Sequence, residues 1–533
     1  MNTRKNSLVV MLFLCLASTA MLRAQTLEYI QAFIDKDCYL TGEQIQVHVS
    51  VTDAQHKPMG MSKVAYVELC DIKSIQAQCM VQLTDGEGWA SIDLPGSMHS
   101  GNYQMNVYTR YMRNFGQDCY YKRMVSVVNL LNPSADDDIE FIDASPEVKA
   151  ATSDYVLTDK KQYGTREKVV FSMPDVNGRS FTLSVVRKDC VAAANSLQQE
   201  KPKYNTSNDL SYIPELDGHI VNAKPTDGKK PTTSRIGLVG KAGAVFDGQI
   251  QKDGSVRFYT MGLNGSLPIS LNGYTFDAQP VHMEFVQPYE KVLPETLPTL
   301  KVYYNESDLK DRSISAQIEK SKRDISLGTV IEHKKSFMGV EPDLFYDLDE
   351  WTKFMTVREI LIEFVAGVRV RNIENRKALY TLDPEANGYS KWAALVLLDG
   401  MPVTDIDALM DYDARRLKFV QIYKGRFQFG ESPCQGVISF ISRKGSLQDF
   451  LLDEGTQMYT YDFPQDRPAF ISPVYEDKSS RQPDFRHTLY FDAAVSGQRE
   501  FYTSDLTGTY EVRLQYVGLD DHEHLISSEF EVK

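Results

Sequence analysis

The sequence predicts a mainly β, multidomain protein, on three observations. Apolar and polar residues alternate with a period of two through several separate stretches, the mark of half-buried strands. The 533 residues exceed what one hydrophobic core holds, so several domains are expected. Clear helical periodicity is short and late, so one small α+β unit interrupts the β pattern. With 42% apolar and 24% charged residues, the composition excludes whole-chain disorder and fibrous classes. A formal charge of −14 argues against nucleic acid as a partner, because phosphate binding needs clustered Lys and Arg.

Residues 1–24 read as a signal peptide. Arg4 and Lys5 precede the apolar run from Leu8 to Ala17, and a small residue, Ala24, closes the segment. The run is shorter than the ~20 residues of a membrane span. Leu14 before Cys15 disfavours a lipidation signal, which wants a small residue there. An exported chain is expected, held to a membrane only through a partner. Its cysteines crowd early: Cys38, Cys70, Cys79 and Cys119, then Cys190 and Cys434. One or two disulfides among the first four suit an exported chain, and buried free thiols suit the same pattern equally well. Spacing cannot pair them, and none has metal-site spacing.

Residues 25–130 read as one β-sandwich. Ile45, Val47, Val49 and Val51 alternate with polar residues, as do Tyr103, Met105 and Val107, and Asp85-Gly86 and Ser100-Gly101-Asn102 are turns. The opening Asp35-Lys36-Asp37-Cys38-Tyr39-Leu40-Thr41-Gly42-Glu43, with Thr84-Asp85-Gly86-Glu87-Gly88, Leu94-Pro95 and Gly101-Asn102-Tyr103 after it, resembles a macroglobulin-type (alpha-2-macroglobulin-like), Ig-like sandwich domain. Residues 131–152, with Asp136-Asp137-Asp138, read as an acidic linker; the triplet is read as solvated surface rather than a calcium site. Residues 153–213 repeat the opening in Tyr163-Gly164-Thr165-Arg166-Glu167 and are similar to a second, reduced macroglobulin-type module. Residues 214–290 form a small β-sandwich that loosely resembles the regulatory sandwich of some carboxypeptidases. Residues 291–345 are a connector with a poorly patterned candidate helix at 307–323.

Residues 346–447 turn to α+β. Thr356-Val357-Arg358-Glu359 is a capping box, with Val357, Ile360, Leu361 and Phe364 on one apolar face. A strand at 395–398 leads into the Asp399-Gly400 turn. The run Leu395 to Val403 with Asp399, Gly400 and Pro402, then Val420 to Gly425, Gly430, and Gly436 to Gly445, resembles the plug domain of TonB-dependent outer-membrane receptors. Such a receptor needs a large barrel after the plug, at about 9–11 residues per spanning strand. Only 88 residues follow Gly445, so transport by this chain is not expected. Residues 448–533 read as a C-terminal β domain. Taken together, these modules resemble large exported proteins of Bacteroidetes bacteria.

No catalytic constellation is legible. GxSxG and Walker patterns are absent, and His522-Glu523-His524 lacks the second histidine of HExxH because Ile526 stands there. Cys434-Gln435-Gly436 is no thioester motif, so covalent protease trapping is not expected. Arg481, Arg486 and Arg499 are candidates for carboxylate binding. Tyr108, Tyr111, Phe115, Tyr120 and Tyr121 are candidates for a contact surface, and are read first as core. The expectation is a non-enzymatic binding or assembly protein of the cell envelope, without a cofactor, in the periplasm or on the periplasmic face of the outer membrane. Its partner is expected to be an outer-membrane or other envelope protein, and nucleic acid is not. The alternative is a macroglobulin-like endopeptidase inhibitor without a thioester, with an exposed loop at 191–213 or 222–235.

Overall fold

The computed structural model describes residues 27–142, 157–174, 176–188, 192–193, 202–205, 210–239, 245–277, 279–326, 340–373, 376–386, 388–429, 432–452, 454–466, 473–475, 482–493 and 498–533. The signal-peptide stretch 1–24, Cys190, Gly430 and Arg481 lie outside them. The mainly β class is observed. The chain divides into two compact units, one comprising the chain up to Leu216, Lys291–Ala316 and Arg467–Lys533, the other Asp217–Glu290 and Gln317–Asp466.

The first unit opens with a sandwich of strands β1 (Tyr29–Ile34), β2 (Cys38–Leu40), β3 (Gln44–Thr52), β4 (Val64–Cys70), β5 (Ile75–Gln82), β6 (Glu87–Asp93), β7 (Gly101–Thr109) and β8 (Tyr121–Val128). One sheet runs β1-β3-β6 and the facing one β2-β8-β7-β4-β5. Ile45, Val47 and Val49 are fully buried, as the alternation requires. Strand β9 (Ile139–Ile142) lies in the predicted acidic linker and pairs with Leu300–Tyr303.

The same topology then recurs, broken in two along the chain. Strands β10 (Gln162–Tyr163), β11 (Lys168–Ser172) and β12 (Gly178–Arg187) are completed by Thr488–Ala493, Gln498–Tyr502, Gly508–Gly518 and Glu523–Val532. The order β10, Glu523–Val532, Gly508–Gly518, β12, Thr488–Ala493 matches β2-β8-β7-β4-β5 strand for strand, and β11 pairs with Gln498–Tyr502 as β3 does with β6. In both five-stranded sheets the short edge strand, β2 or β10, runs parallel to the last strand of its sandwich. Two expected boundaries are thereby corrected. Residues 153–213 are half of a full sandwich rather than a reduced module, since three strands cannot close two sheets. Residues 448–533 are not a separate domain, because their last four strands supply the other half. Everything between β12 and Thr488 occupies the place of the β4–β5 hairpin turn.

That intervening segment is tied to the first sandwich. On departure, Glu215 accepts from Tyr66 Oη (2.9 Å to each oxygen). On return, the Lys291 and Val292 amides donate to Glu68 (3.1 and 2.9 Å), which also accepts from Tyr108 Oη. The two tyrosine rings stack at 5.5 Å. The predicted connector 291–345 is thus ordered in part. It holds the Leu300–Tyr303 strand and a helix, Glu306–Ser326, whose Arg312 makes a buried two-armed contact to Glu43 (2.8 and 2.9 Å).

The second unit holds a sandwich and an α+β body. One sheet of the sandwich runs Gln249–Ile250, Val256–Tyr259, Ile220–Pro225, Met283–Val286; the other runs Val245–Asp247, Thr233–Leu238, Ser266–Tyr274, Thr456–Asp462. The last strand again comes from the predicted C-terminal domain. Within residues 222–235, positions 222–225 and 233–235 are paired strand, and the loop between them is exposed at 226–230. In the α+β body, Leu344–Asp347, Leu417–Phe429, Ser432–Ser442, Leu395–Leu398 and Met401–Pro402 form one sheet, and Val368–Ile373, Arg376–Asp383 and Gly388–Tyr389 a smaller one. The helices Val357–Glu363 and Ile406–Met410 join its core through Ile360, Leu361 and Leu409. The Thr356–Glu359 capping box is present in full. Among the described residues no helix is long and apolar enough to cross a membrane.

Candidate functional site

The repeated openings are local devices of the same design. In the first, Tyr39 Oη donates to Asp35 (2.7 Å), Asp35 accepts the Gln46 amide (3.0 Å), and Glu43 accepts the Leu40 amide (3.0 Å). In the second, Tyr163 Oη donates to Asp159 (2.7 Å), Asp159 accepts the Val170 amide (2.9 Å), and Glu167 accepts the Gly164 amide (2.6 Å). Gly42 has φ of 89°, which glycine tolerates; its counterpart Arg166 adopts 54°. The second sandwich accepts that cost to aim a buried guanidinium at both oxygens of Asp505 (2.7 Å each). The residues that carried the resemblance are therefore structural.

The two sandwiches of the first unit meet in a charged seam. Asp37 is held by Arg123 (2.6 Å) and Arg513 (2.8 Å), and these guanidinia keep its carboxyl below the usual range against the pull of burial. Tyr121 donates to Glu523, whose carboxyl burial pushes up. Within the His522-Glu523-His524 run, then, the glutamate is a seam residue, while His524 lies 2.9 Å from Asp520 at the surface. Among the described residues no group of three or more His, Cys, Asp or Glu could hold a metal. Tyr108, Tyr111, Phe115, Tyr120 and Tyr121 are buried core. Arg486 is spent on Asp484 (2.8 and 2.7 Å), and Arg481 lies outside the described residues.

Cys38, Cys70, Cys79 and Cys119 are free and buried, the second of the two readings their spacing left open. Each serves as a small core side chain. Burial, then Glu68, pushes the Cys70 thiol up to about 12, out of the reactive range. Cys434 is also free and half-buried.

The motif residues of the α+β body lie at its turns, a short outer strand and a bulge. Asp399 (φ 48°) and Gly400 (φ 83°) are both left-handed, as a two-residue turn of this kind requires. The buried Asp399 carboxylate accepts from Ser442 N (2.7 Å), Ser442 Oγ (2.6 Å) and Leu447 N (2.7 Å). It thereby ties the turn to the segment ending at Gly445. Pro402 sits on the short outer strand. Gly425 marks a bulge, and Gly436, at φ 87°, leaves room for Thr381 that any Cβ would take.

Beside this frame lies a surface that sequence reading passed over. Trp351 stacks on Phe364 (4.6 Å), and Phe354 and Tyr346 flank the same ring (5.8 and 5.9 Å). A cavity of 170 Å³ opens there, walled by Leu348, Phe354, Ile360 and Phe364 and rimmed by Lys353, Arg415 and Arg443. Hydrogen bonds from Arg443 and Lys418 hold the rim carboxylate Asp349 below the usual range. Trp351, Met355 and Ile362 stay 43, 59 and 68% exposed. With fixed charges around an apolar floor, the arrangement has the make-up of a binding surface.

No protein-family model and no curated protein matches the chain. The native form of Escherichia coli alpha-2-macroglobulin is similar at 10% identity and a TM-score of 0.23, over 95% of this chain and 40% of that one. The E. coli adhesin FdeC matches at 11% and 0.16, over 52% of this chain and 65% of that one. Latent PorU from Porphyromonas gingivalis matches at 8% and 0.16, over 95% and 34%. The chain spans less than two thirds of each, and likenesses at these scores carry no argument about its activity.

Proposed function

We propose that the chain is a non-enzymatic binding or assembly protein of the cell envelope, whose α+β body docks a protein partner in the outer membrane. The observation that carries this reading is the aromatic, arginine-rimmed cavity beside Trp351, together with the exposed apolar side chains Trp351, Met355 and Ile362 at and next to the helix Val357–Glu363. Large apolar side chains left in water beside an aromatic cavity are costly in a free surface and typical of a contact surface. The likeness of the motif residues to a receptor plug supports an outer-membrane partner, and the signal-like start supports export.

The test is affinity purification of the tagged chain from crosslinked envelopes, with mass spectrometry of what accompanies it. A dominant outer-membrane protein that is lost with Met355→Asp/Ile362→Asp is the expected result; both residues are exposed, so the fold should survive. Equal recovery with that variant, or no envelope partner, overturns the docking face. Recovery of proteases alone, with their cleavage of large substrates slowed, points instead to the inhibitor reading.

A further inference from the structure

The smaller sheet of the α+β body ends on the strand Val368–Ile373, which among the described residues pairs only with Arg376–Asp383. Such an outer strand turns alternate N–H and C=O groups away from its sheet. Its side chains alternate as well. Val368 and Val370 pack against the core, while Arg369 and Arg371 are exposed. The Arg371 guanidinium lies over the Tyr380 ring at 4.7 Å, and that of Arg369 over Tyr389 at 5.6 Å. Elsewhere in this body Arg358, Lys377, Arg415, Arg416, Lys418 and Arg443 each hold a carboxylate. Arg369, Arg371 and Arg376 hold none among the described residues, in a chain whose net charge is −14.

We propose that Val368–Ile373 takes an added strand from a partner polypeptide that presents carboxylates at alternate positions. This deepens the docking reading above and rests on it. Residues two apart on a strand are separated by about 6.8 Å, so Arg369 and Arg371 match the spacing of side chains on one face of the incoming strand. The tyrosine rings hold the guanidinia in place before it arrives. A second copy of the same strand is a poor occupant, because it would set arginine against arginine.

The test uses the whole chain and three labelled ten-residue peptides: alternating Glu and Val, alternating Lys and Val, and the Glu–Val peptide interrupted by prolines that cannot join a ladder. Fluorescence anisotropy should show saturable binding of the first alone, with hydrogen-exchange protection confined to 368–373. Arg369→Glu/Arg371→Glu should weaken it by about tenfold or more and admit the Lys–Val peptide, while Arg369→Lys/Arg371→Lys retains part of the binding. An unchanged thermal midpoint certifies the folded variants. Absence of saturable binding, equal binding of the proline peptide, or indifference to charge reversal overturns the proposal. If the envelope partner still accompanies the Glu variant, docking stands and the added strand falls. If the peptide binds and no envelope partner exists, docking falls.

Discussion

Asp399 carries more of the α+β body than its size suggests. Its carboxylate ends three hydrogen bonds, and its backbone sits in the left-handed region. Asp399→Ala removes the acceptor and the tolerance for that conformation together, and should cost about 3 kcal/mol in unfolding free energy. Asp399→Asn keeps the conformation and one acceptor and should cost visibly less; equal losses in chemical denaturation would contradict this role. Glu43 is the residue to follow with pH. Arg312 and Lys36 hold its carboxyl below the usual value in the folded chain despite burial. The folded value lies below the unfolded one, so the stabilisation is complete above about pH 5 and fades as pH falls. Glu43→Gln should therefore lower stability at pH 7 and flatten its decline between about pH 4.5 and 3. A parallel decline in both proteins would remove Glu43 from the account. At this scale the sequence was partly legible. Asp399-Gly400 announced a turn, but nothing local said that the aspartate closes on Ser442 and Leu447.

Among the elements, those governed by near neighbours were readable. Period-two runs became strands, and the Thr356–Glu359 box starts a helix where it should. Thr356→Ala should cost about 1 kcal/mol, read as a lower thermal midpoint without loss of the strand signal in circular dichroism. The helix Glu306–Ser326 was legible only as a weak candidate because few apolar positions mark its buried side; Leu309 and Ala316 are buried, yet Ile314 is exposed and Arg312 is the buried anchor. A charged residue that serves as the core contact defeats a reading based on apolar periodicity. The exposed aromatic face was invisible for the converse reason, since Trp351, Phe354 and Phe364 look like core until their surroundings are known.

For the molecule as a whole, the missing piece was discontinuity. Pairing between β12 and Thr488–Ala493 joins residues some three hundred positions apart, and no local signal marks it. What could have revealed it is the duplicated punctuation: Asp-Lys and Tyr at 35–39 and 159–163, then Gly-x-Tyr at 101–103 and 508–510. Each of those later tyrosines donates to the carbonyl four residues back (2.6 and 2.9 Å). Truncation before Glu523 should therefore damage a sandwich that begins at residue 157. Limited proteolysis should cut near 157–188 in the truncated chain and spare β1–β8; protection of both regions would refute the shared sandwich.

That split sandwich also sets an order of events in time. The first sandwich has all its strands once Val128 has been made. The second must leave the sides of β12 unmatched while several hundred further residues are synthesised, including the whole second unit. Through that interval an incomplete product carries an open β edge, the kind of surface that holding chaperones cover and proteases sample. The pairing of β12 is complete once Gly508–Gly518 has been made, and one side of Gly508–Gly518 then stays open until Glu523–Val532 pairs with it.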